Sequence, residues 1–192
     1  MNKRTTFLPK SLLRDCSGVA AVEFALVLPF LVLVLINVVS FFDGFRGDKI
    51  ISKTTGVVVD LVTRDKGAID DDKFTELVNI ATALTGKYAV SAEFTVVVAS
   101  IRNVFDVDED DELELVWSRS NVDDAVLEQG DLDELDLPFV AEGDSVIYVL
   151  VQAQYKPMLV NELLGTFTLS DNQVRRPRFV SEITCESDSG KC

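Results

Sequence analysis

One carboxylate stands inside a long apolar run, and the chemistry open to it is charge pairing. The run covers residues 19–42 and contains Glu23 near its N-terminal end. A charged side chain at the centre of a bilayer costs about 2.5–3.5 kcal/mol on insertion scales. Either a positive group on another chain pairs with Glu23, or its side chain reaches the lipid headgroups. The first alternative predicts that several chains assemble through this segment.

A membrane-spanning helix is the element that must position this carboxylate. A helix of 24 residues is about 36 Å long, more than the ~30 Å hydrocarbon core of a bilayer. A secretory signal peptide is the alternative, but its apolar region is shorter and an Ala-x-Ala site should follow. Pro29 removes one helical hydrogen bond, which predicts a kink or a loosened turn there.

The distribution of charge predicts the orientation of the chain. Before Gly18 four basic residues stand against one acidic residue, whereas 14 basic and 31 acidic residues follow it. A basic N-terminus ahead of an apolar helix predicts a cytoplasmic N-terminus and an acidic domain on the other side of the membrane. So acidic a surface repels phosphate, which argues against nucleic-acid binding.

Composition argues against an enzyme. The 192 residues include no histidine, which removes imidazole as a base or metal ligand. The many carboxylates show no spacing that singles out a catalytic pair, and we expect no cofactor. The loop 106–112 has alternating aspartates, but Asp111 and Trp117 occupy the places where a calcium loop needs Gly and Glu. We therefore favour a solvated hairpin loop over a calcium site.

Residues 14–26 resemble the processing site of the type IV pilin superfamily, in which a basic leader ends in Gly and an apolar helix follows. With Gly18 as the last leader residue, Val19 is the first mature residue, Glu23 the fifth and Phe24 the sixth. An acidic residue followed by an aromatic one resembles the Tad (Flp) branch. Phe at the sixth place and the length of the chain resemble its TadE-like and TadF-like pseudopilins.

This resemblance implies a role in assembling an adhesive pilus. A prepilin peptidase would cut between Gly18 and Val19, and the freed amine of Val19 would pair with Glu23 of a neighbouring subunit. The implied partners are the major pilin, other pseudopilins and the inner-membrane assembly platform. Two alternatives stay open, namely a type II secretion pseudopilin and a membrane-anchored periplasmic binding or enzymatic domain.

The pattern along the chain predicts an α+β fold behind the long pilin-like helix. Asp70 or Asp71 should cap a second helix that ends at Gly86. A loop with one short helical turn is expected at 121–143, and a central strand at 144–155. The predicted parts are a leader (1–18), a transmembrane and stalk helix (19–65), a periplasmic domain (66–183) and a loose tail (184–192). Other strands are predicted at 88–104, 113–119 and 167–178.

The C-terminal third adds to the resemblance and holds the remaining candidate sites. Its order of a Trp-containing strand, a central strand, a Tyr-x-Pro and a basic pair resembles the end of TadE-type proteins. Cys185 and Cys192 lie in the predicted oxidising compartment and either form a disulfide or remain free thiols. We expect an aromatic core of Phe94, Trp117 and Tyr148. We also expect a basic cluster of Arg175, Arg176 and Arg178, which either faces acidic groups or protects a strand edge.

Overall fold

The computed structural model describes residues 18–88, 94–104, 112–156 and 165–187. These residues form two helices and one four-stranded antiparallel sheet, so the fold is α+β, as the sequence predicts. The helices are α1 (Val19–Arg64) and α2 (Asp71–Thr85). The strands are β1 (Thr95–Val104), β2 (Glu112–Ser120), β3 (Ser145–Tyr155) and β4 (Phe167–Arg175).

Helix α1 runs without interruption through one proline and three glycines, residue types with low helix propensity. Pro29 lies inside the helix and cannot donate to the carbonyl one turn before it. Gly44, Gly47 and Gly56 follow, and the helix continues through all three. The sequence places the transmembrane and stalk helix at 19–65, and α1 occupies Val19–Arg64.

Helix α2 begins and ends at the predicted residues. The Asp70 side chain accepts a hydrogen bond from the Lys73 backbone N–H at 2.8 Å, which caps the first turn. Gly86 ends the helix at a φ of 58°, a value that favours glycine over residues with a Cβ atom. The stripe Phe74, Leu77 and Ala81 is buried against α1 and the sheet.

The sheet has the order β2-β1-β3-β4, so β3 is central, as its apolar sequence predicts. Every neighbouring pair is antiparallel. The register between β1 and β2 shifts once, between Ser100 and Ile101. This irregularity lies beside Trp117 and leaves an extra residue on β2.

Each face of the sheet covers its own hydrophobic cluster. The C-terminal half of α1 and all of α2 pack on one face, against residues such as Val149 and Val151. The connection 121–143 covers the other face, where Leu132 and Val140 pack on Ile101 and Tyr148. This connection contains two short 3-10 segments, Asp123–Ala125 and Gln129–Glu134, rather than the one turn predicted.

Two strand boundaries differ from the sequence prediction. β1 begins at Thr95 rather than at residue 88, because Tyr88 belongs to a 3-10 turn and its hydroxyl bonds to α1. β4 ends at Arg175 rather than at residue 178, because Pro177 has no N–H to extend the ladder. The chain leaves the sheet there, and the Arg178 N–H donates to the Thr63 carbonyl at the end of α1.

The tail is not loose over its described part, 184–187. Ile69 and Cys185 form a parallel bridge, in which the Ile69 N–H donates to the Thr184 carbonyl and the Glu186 N–H to the Ile69 carbonyl. Ile183, just before this bridge, is fully buried and accepts a 2.7 Å hydrogen bond from the Trp117 indole. Burial of an apolar residue next to the tail is what holds the tail in place.

Candidate functional site: the long helix and its junction with the sheet

The first half of α1 is an uncovered apolar rod. Its most apolar stretch has no buried residue, and its large side chains are exposed around the whole helix circumference. Within the described residues this is the one helix long and apolar enough to cross a membrane. A helix that is hydrophobic all round needs an apolar environment, and here the rest of the fold does not provide one.

The residues of the predicted processing site lie at the exposed start of this rod. Gly18 is the N-cap of α1, and its carbonyl accepts the hydrogen bond of the Val22 N–H at 3.1 Å. A Cβ atom added to Gly18 would meet nothing within 4 Å, so the fold itself does not require glycine there. Residues 1–17 of the predicted leader lie outside the described residues.

Glu23 lies one helical turn beyond Val19, and both side chains are exposed, as is Phe24. Among the described residues Glu23 makes no hydrogen bond or ion pair. Asn37 lies two heptads further along, about 40° around the helix from Glu23. Its side-chain amide donates to the Leu33 carbonyl at 2.8 Å, which leaves its own carbonyl oxygen open. The two polar groups thus mark one side of an otherwise apolar rod.

The second half of α1 is a core element. Ile51, Val58, Val59 and Val62 are at most 1% exposed and belong to the cluster between the helices and the sheet. Two of its buried threonines donate their hydroxyls to the backbone carbonyl one turn earlier, Thr55 to Ile51 at 3.0 Å and Thr63 to Val59 at 2.8 Å. The second half of α1 therefore packs onto the sheet and α2 as part of the folded domain.

At Gly47 the helix packs closely against Leu169 of β4 and against Tyr88. A Cβ atom at this position would lie 2.8 Å from the side chains of both Leu169 and Tyr88. Tyr88 is buried and its ring is fixed by hydrogen bonds, so it has little freedom to move away. The glycine is therefore required by close packing, not by its backbone angles.

A polar cluster, which we call the Asp43 clasp, joins the end of the apolar run to the sheet. Asp43 is the first charged residue after that run, and its carboxylate accepts hydrogen bonds from three side chains. The donors are the Lys87 ammonium at 2.6 Å, the Tyr155 hydroxyl at 2.9 Å and the Tyr88 hydroxyl at 3.1 Å. The two tyrosine rings also pack on each other, with centroids 5.8 Å apart.

The clasp shifts the acidity of its members. The hydrogen bond to the Asp43 carboxylate raises the pKa of Lys87 above its usual value. Burial, and then the hydrogen bond to Asp43, raise the pKa of Tyr155 to about 12. Lys87 thus keeps its charge and Tyr155 its proton at neutral pH. Nothing in the sequence pairs these residues, because Asp43 and Tyr155 lie 112 positions apart.

An apolar groove of about 510 Å³ opens beside the clasp. One wall is a stripe of α1 that begins at Asn37 and ends at Asp48. The other wall is the end of β3 and the start of β4. Its main apolar side chains are Phe41, Phe45, Phe167 and Leu169, together with the ring of Tyr155. No pattern in the sequence indicates this groove, since its walls come together only in the folded chain.

The predicted basic cluster faces carboxylates of this chain. Arg178 and Arg175 contact Asp60 of α1 at 2.5 and 3.6 Å, and Arg64 contacts the same carboxylate at 2.9 Å. Arg176 pairs instead with Asp144, at 2.8 Å. Of the two readings of the cluster, the one with acidic groups opposite is confirmed. Asp60 thus connects the C-terminal end of α1 to the end of β4 and to the segment that follows it.

The remaining predicted sites divide into three groups. The aromatic core is confirmed, since Phe94, Trp117 and Tyr148 are all buried. Cys185 is disulfide-bonded, while its predicted partner Cys192 lies outside the described residues. The acidic loop 106–112 lies outside them too, except for Glu112, whose backbone begins β2. In the described parts of the chain no group of side chains is arranged to hold a metal ion.

No family model, curated protein or solved structure matches this chain.

Proposed function

We propose that this protein is a pseudopilin or minor pilin in the assembly of a Tad-type (Flp) adhesive pilus, similar to the TadE and TadF proteins. It is made as an inner-membrane precursor with a cytoplasmic N-terminus and a periplasmic α+β domain. A prepilin peptidase removes the leader after Gly18, and the mature chain assembles with pilins and sister pseudopilins through its exposed helix.

One observation carries the proposal: a single helix begins at Val19, directly after Gly18, stays uncovered for its first half and enters the domain core with its second half. An ordinary membrane anchor has no need of this continuity, because a linker would join it to its domain equally well. A subunit that packs laterally through its helix does need it, since the helix then fixes the domain's place in the assembly. Glu23, exposed one turn inside the helix start, supplies the charge that a neighbouring chain would match.

Mapping the N-terminus of the membrane-embedded protein tests the processing step. We expect the mature chain to start at Val19. The variant Gly18→Leu should accumulate uncut, because a bulky side chain obstructs the peptidase cleft while the folded chain has open space there. Ala20→Leu, two residues past the bond on the exposed helix, is the matched control and should be cut. A native, active protein that starts at Met1 or Asn2 would contradict the proposal and leave a tethered domain.

Substitution of Glu23 tests the assembly step separately. Glu23→Gln keeps the size of the side chain and removes its charge, so it should be cleaved normally but lost from complexes with other pilins. The freed amine has an unperturbed pKa near 8 and is largely cationic at neutral pH, so Glu23→Asp should restore part of the interaction. The measurement is co-purification with the major pilin after crosslinking. Normal incorporation of Glu23→Gln would show that charge pairing is not the basis of assembly.

A further inference from the structure

The apolar groove beside the Asp43 clasp lies at a defined depth if the chain spans the membrane as proposed above, and the inference rests on that location. With Glu23 at the inner boundary, a hydrocarbon core of about 30 Å ends 20 residues later, at Asp43. Asn37, at one end of the groove, then lies about 9 Å inside the hydrocarbon. Asp48, at the other end, lies about 7 Å outside it, among the lipid headgroups.

A groove at this depth does not stay empty. Its inner part faces hydrocarbon, from which water is excluded, and apart from Asn37 and Ser40 the helix and strand side chains that line it are mainly apolar. The sheet wall prevents an annular lipid from lying flat along the helix, because Phe167 and Leu169 stand opposite Phe41 and Phe45. The groove volume lies within the usual range of small-molecule sites. An acyl chain therefore fits this space, because it is apolar and because it can enter the groove from the hydrocarbon side.

The charge at the outer end indicates the headgroup. Asp48 lines the groove, and its only ion pair among the described residues is with Lys49, at 3.6 Å, with both side chains about half exposed or more. Such an exposed pair contributes little to stability, so a ligand cation can replace it. The neighbouring Asp43 carboxylate is already occupied by Lys87 and two tyrosines. Asp48 thus offers a negative group at headgroup depth.

We propose that the groove binds one membrane phospholipid with a primary-ammonium headgroup, the acyl chain lying between α1 and β4 and the ammonium facing Asp48. The bound lipid completes the apolar junction between the membrane helix and the sheet.

Native mass spectrometry of the full-length chain, purified in detergent with equal amounts of phosphatidylethanolamine and phosphatidylglycerol of the same acyl composition, tests this proposal. We expect one retained lipid, with phosphatidylethanolamine preferred. The double variant Phe45→Ala/Phe167→Ala removes one ring from each wall and should lower retention about tenfold. Both rings are about half exposed, so the fold should persist, as an unchanged melting temperature would verify.

Phe42→Ala is the matched control. Phe42 lies on the same helix at the same depth and is 70% exposed, but it does not line the groove. Its variant should retain the lipid as the wild type does, whereas lipids bound anywhere around the helix would respond equally to both changes. Asp48→Asn should keep the lipid but lose the preference for the ammonium headgroup. Equal retention by the double variant and the wild type, or no lipid in either, would overturn the proposal.

The proposed function can fail separately, because alkaline extraction and N-terminal mapping are run on the same preparation. A chain that resists extraction and starts at Val19, yet carries no lipid, contradicts the groove proposal alone. A chain that alkali extracts from the membrane contradicts both.

Discussion

The two halves of α1 form one regular helix for different physical reasons. In the first half, Leu, Val and Phe side chains surround the axis, and the protein buries almost none of them. In a bilayer such a segment is helical because each backbone N–H and C=O must find its partner within the segment. The second half is rich in β-branched residues such as Val58, Val59 and Thr63, which have low helix propensity.

What keeps the second half helical is its packing on the sheet. One face of it is buried between α2 and strands β3 and β4, and the hydroxyls of Thr55 and Thr63 bond to the helix backbone. One helix can therefore owe its helical conformation to an apolar environment in one half and to tertiary contacts in the other half. Substitutions of the same type in the two halves should therefore have different consequences.

A buried charge should give the largest difference. Val58→Asp places a carboxylate where the side chain is fully buried, and we expect a loss of more than about 4 kcal/mol, enough to unfold the domain. Val34→Asp places the same group in the exposed half and should leave the domain folded while opposing membrane insertion by about 2.5–3.5 kcal/mol. Limited proteolysis and alkaline extraction read the two effects separately. If both variants behave alike, the two halves do not differ as described.

Removal of two methyl groups should give an intermediate difference. Val58→Ala should lower the free energy of unfolding by about 2 kcal/mol, from lost burial and a small cavity. Val34→Ala should leave the melting temperature of the domain unchanged, because that side chain contacts none of the domain. Thermal denaturation of both variants in the same detergent is the measurement. A measurable shift for Val34→Ala would mean that the exposed half contributes to domain stability.

The Asp43 clasp, at the boundary of the two halves, should give the smallest effect. Tyr155→Phe removes one hydrogen bond to Asp43, worth about 1 kcal/mol at neutral pH. The raised pKa of Tyr155, about 12 in the folded chain, means that burial of its neutral form stabilises the fold fully below pH ~10. This contribution is lost as the pH rises from about 10 to 12, because the unfolded chain ionises first.

Unfolding midpoints between pH 7 and pH 11 check this sign. The wild type should lose stability across the alkaline range, and Tyr155→Phe should lose less of it. Tyr88 and Tyr148 also have raised pKa values, mainly from burial, so some alkaline loss should remain in the variant. Identical pH profiles for the two proteins would contradict the assignment to Tyr155.

Local patterns in the sequence were sufficient for most elements. The cap at Asp70, the stop at Gly86 and the central place of β3 each depend on a few neighbouring residues, and all three predictions are confirmed. The predicted start of β1 at residue 88 is wrong. Tyr88 belongs instead to a 3-10 turn, and its hydroxyl donates a hydrogen bond to the Asp43 carbonyl of α1, a contact that the local sequence does not indicate. The prediction of a loose tail is wrong for a similar reason, since the bridge between Cys185 and Ile69 joins residues far apart in the sequence.

The candidate site likewise has one part that the local sequence predicts and one part that it does not. Gly18, Val19 and Glu23 are contiguous enough to be found as a motif, and their proposed roles in cleavage and assembly stay predictions. The clasp and the groove combine α1 with residues more than 40 positions away, so no spacing rule predicts them. The same holds for Gly47. A larger residue at this position would collide with Leu169 and Tyr88, and the sequence does not indicate that these side chains lie beside it.

The continuity of α1 has a mechanical consequence. At 1.5 Å per residue its 46 residues form a continuous helix about 69 Å long, from the exposed apolar end to the part that packs on the sheet. A force applied to the exposed apolar end of this helix is transmitted to β3 and β4, because no flexible linker lies between that end and the part of α1 that packs on these strands. Under the proposed function, a force that draws the apolar end of α1 into an assembly would therefore move the folded domain together with the helix.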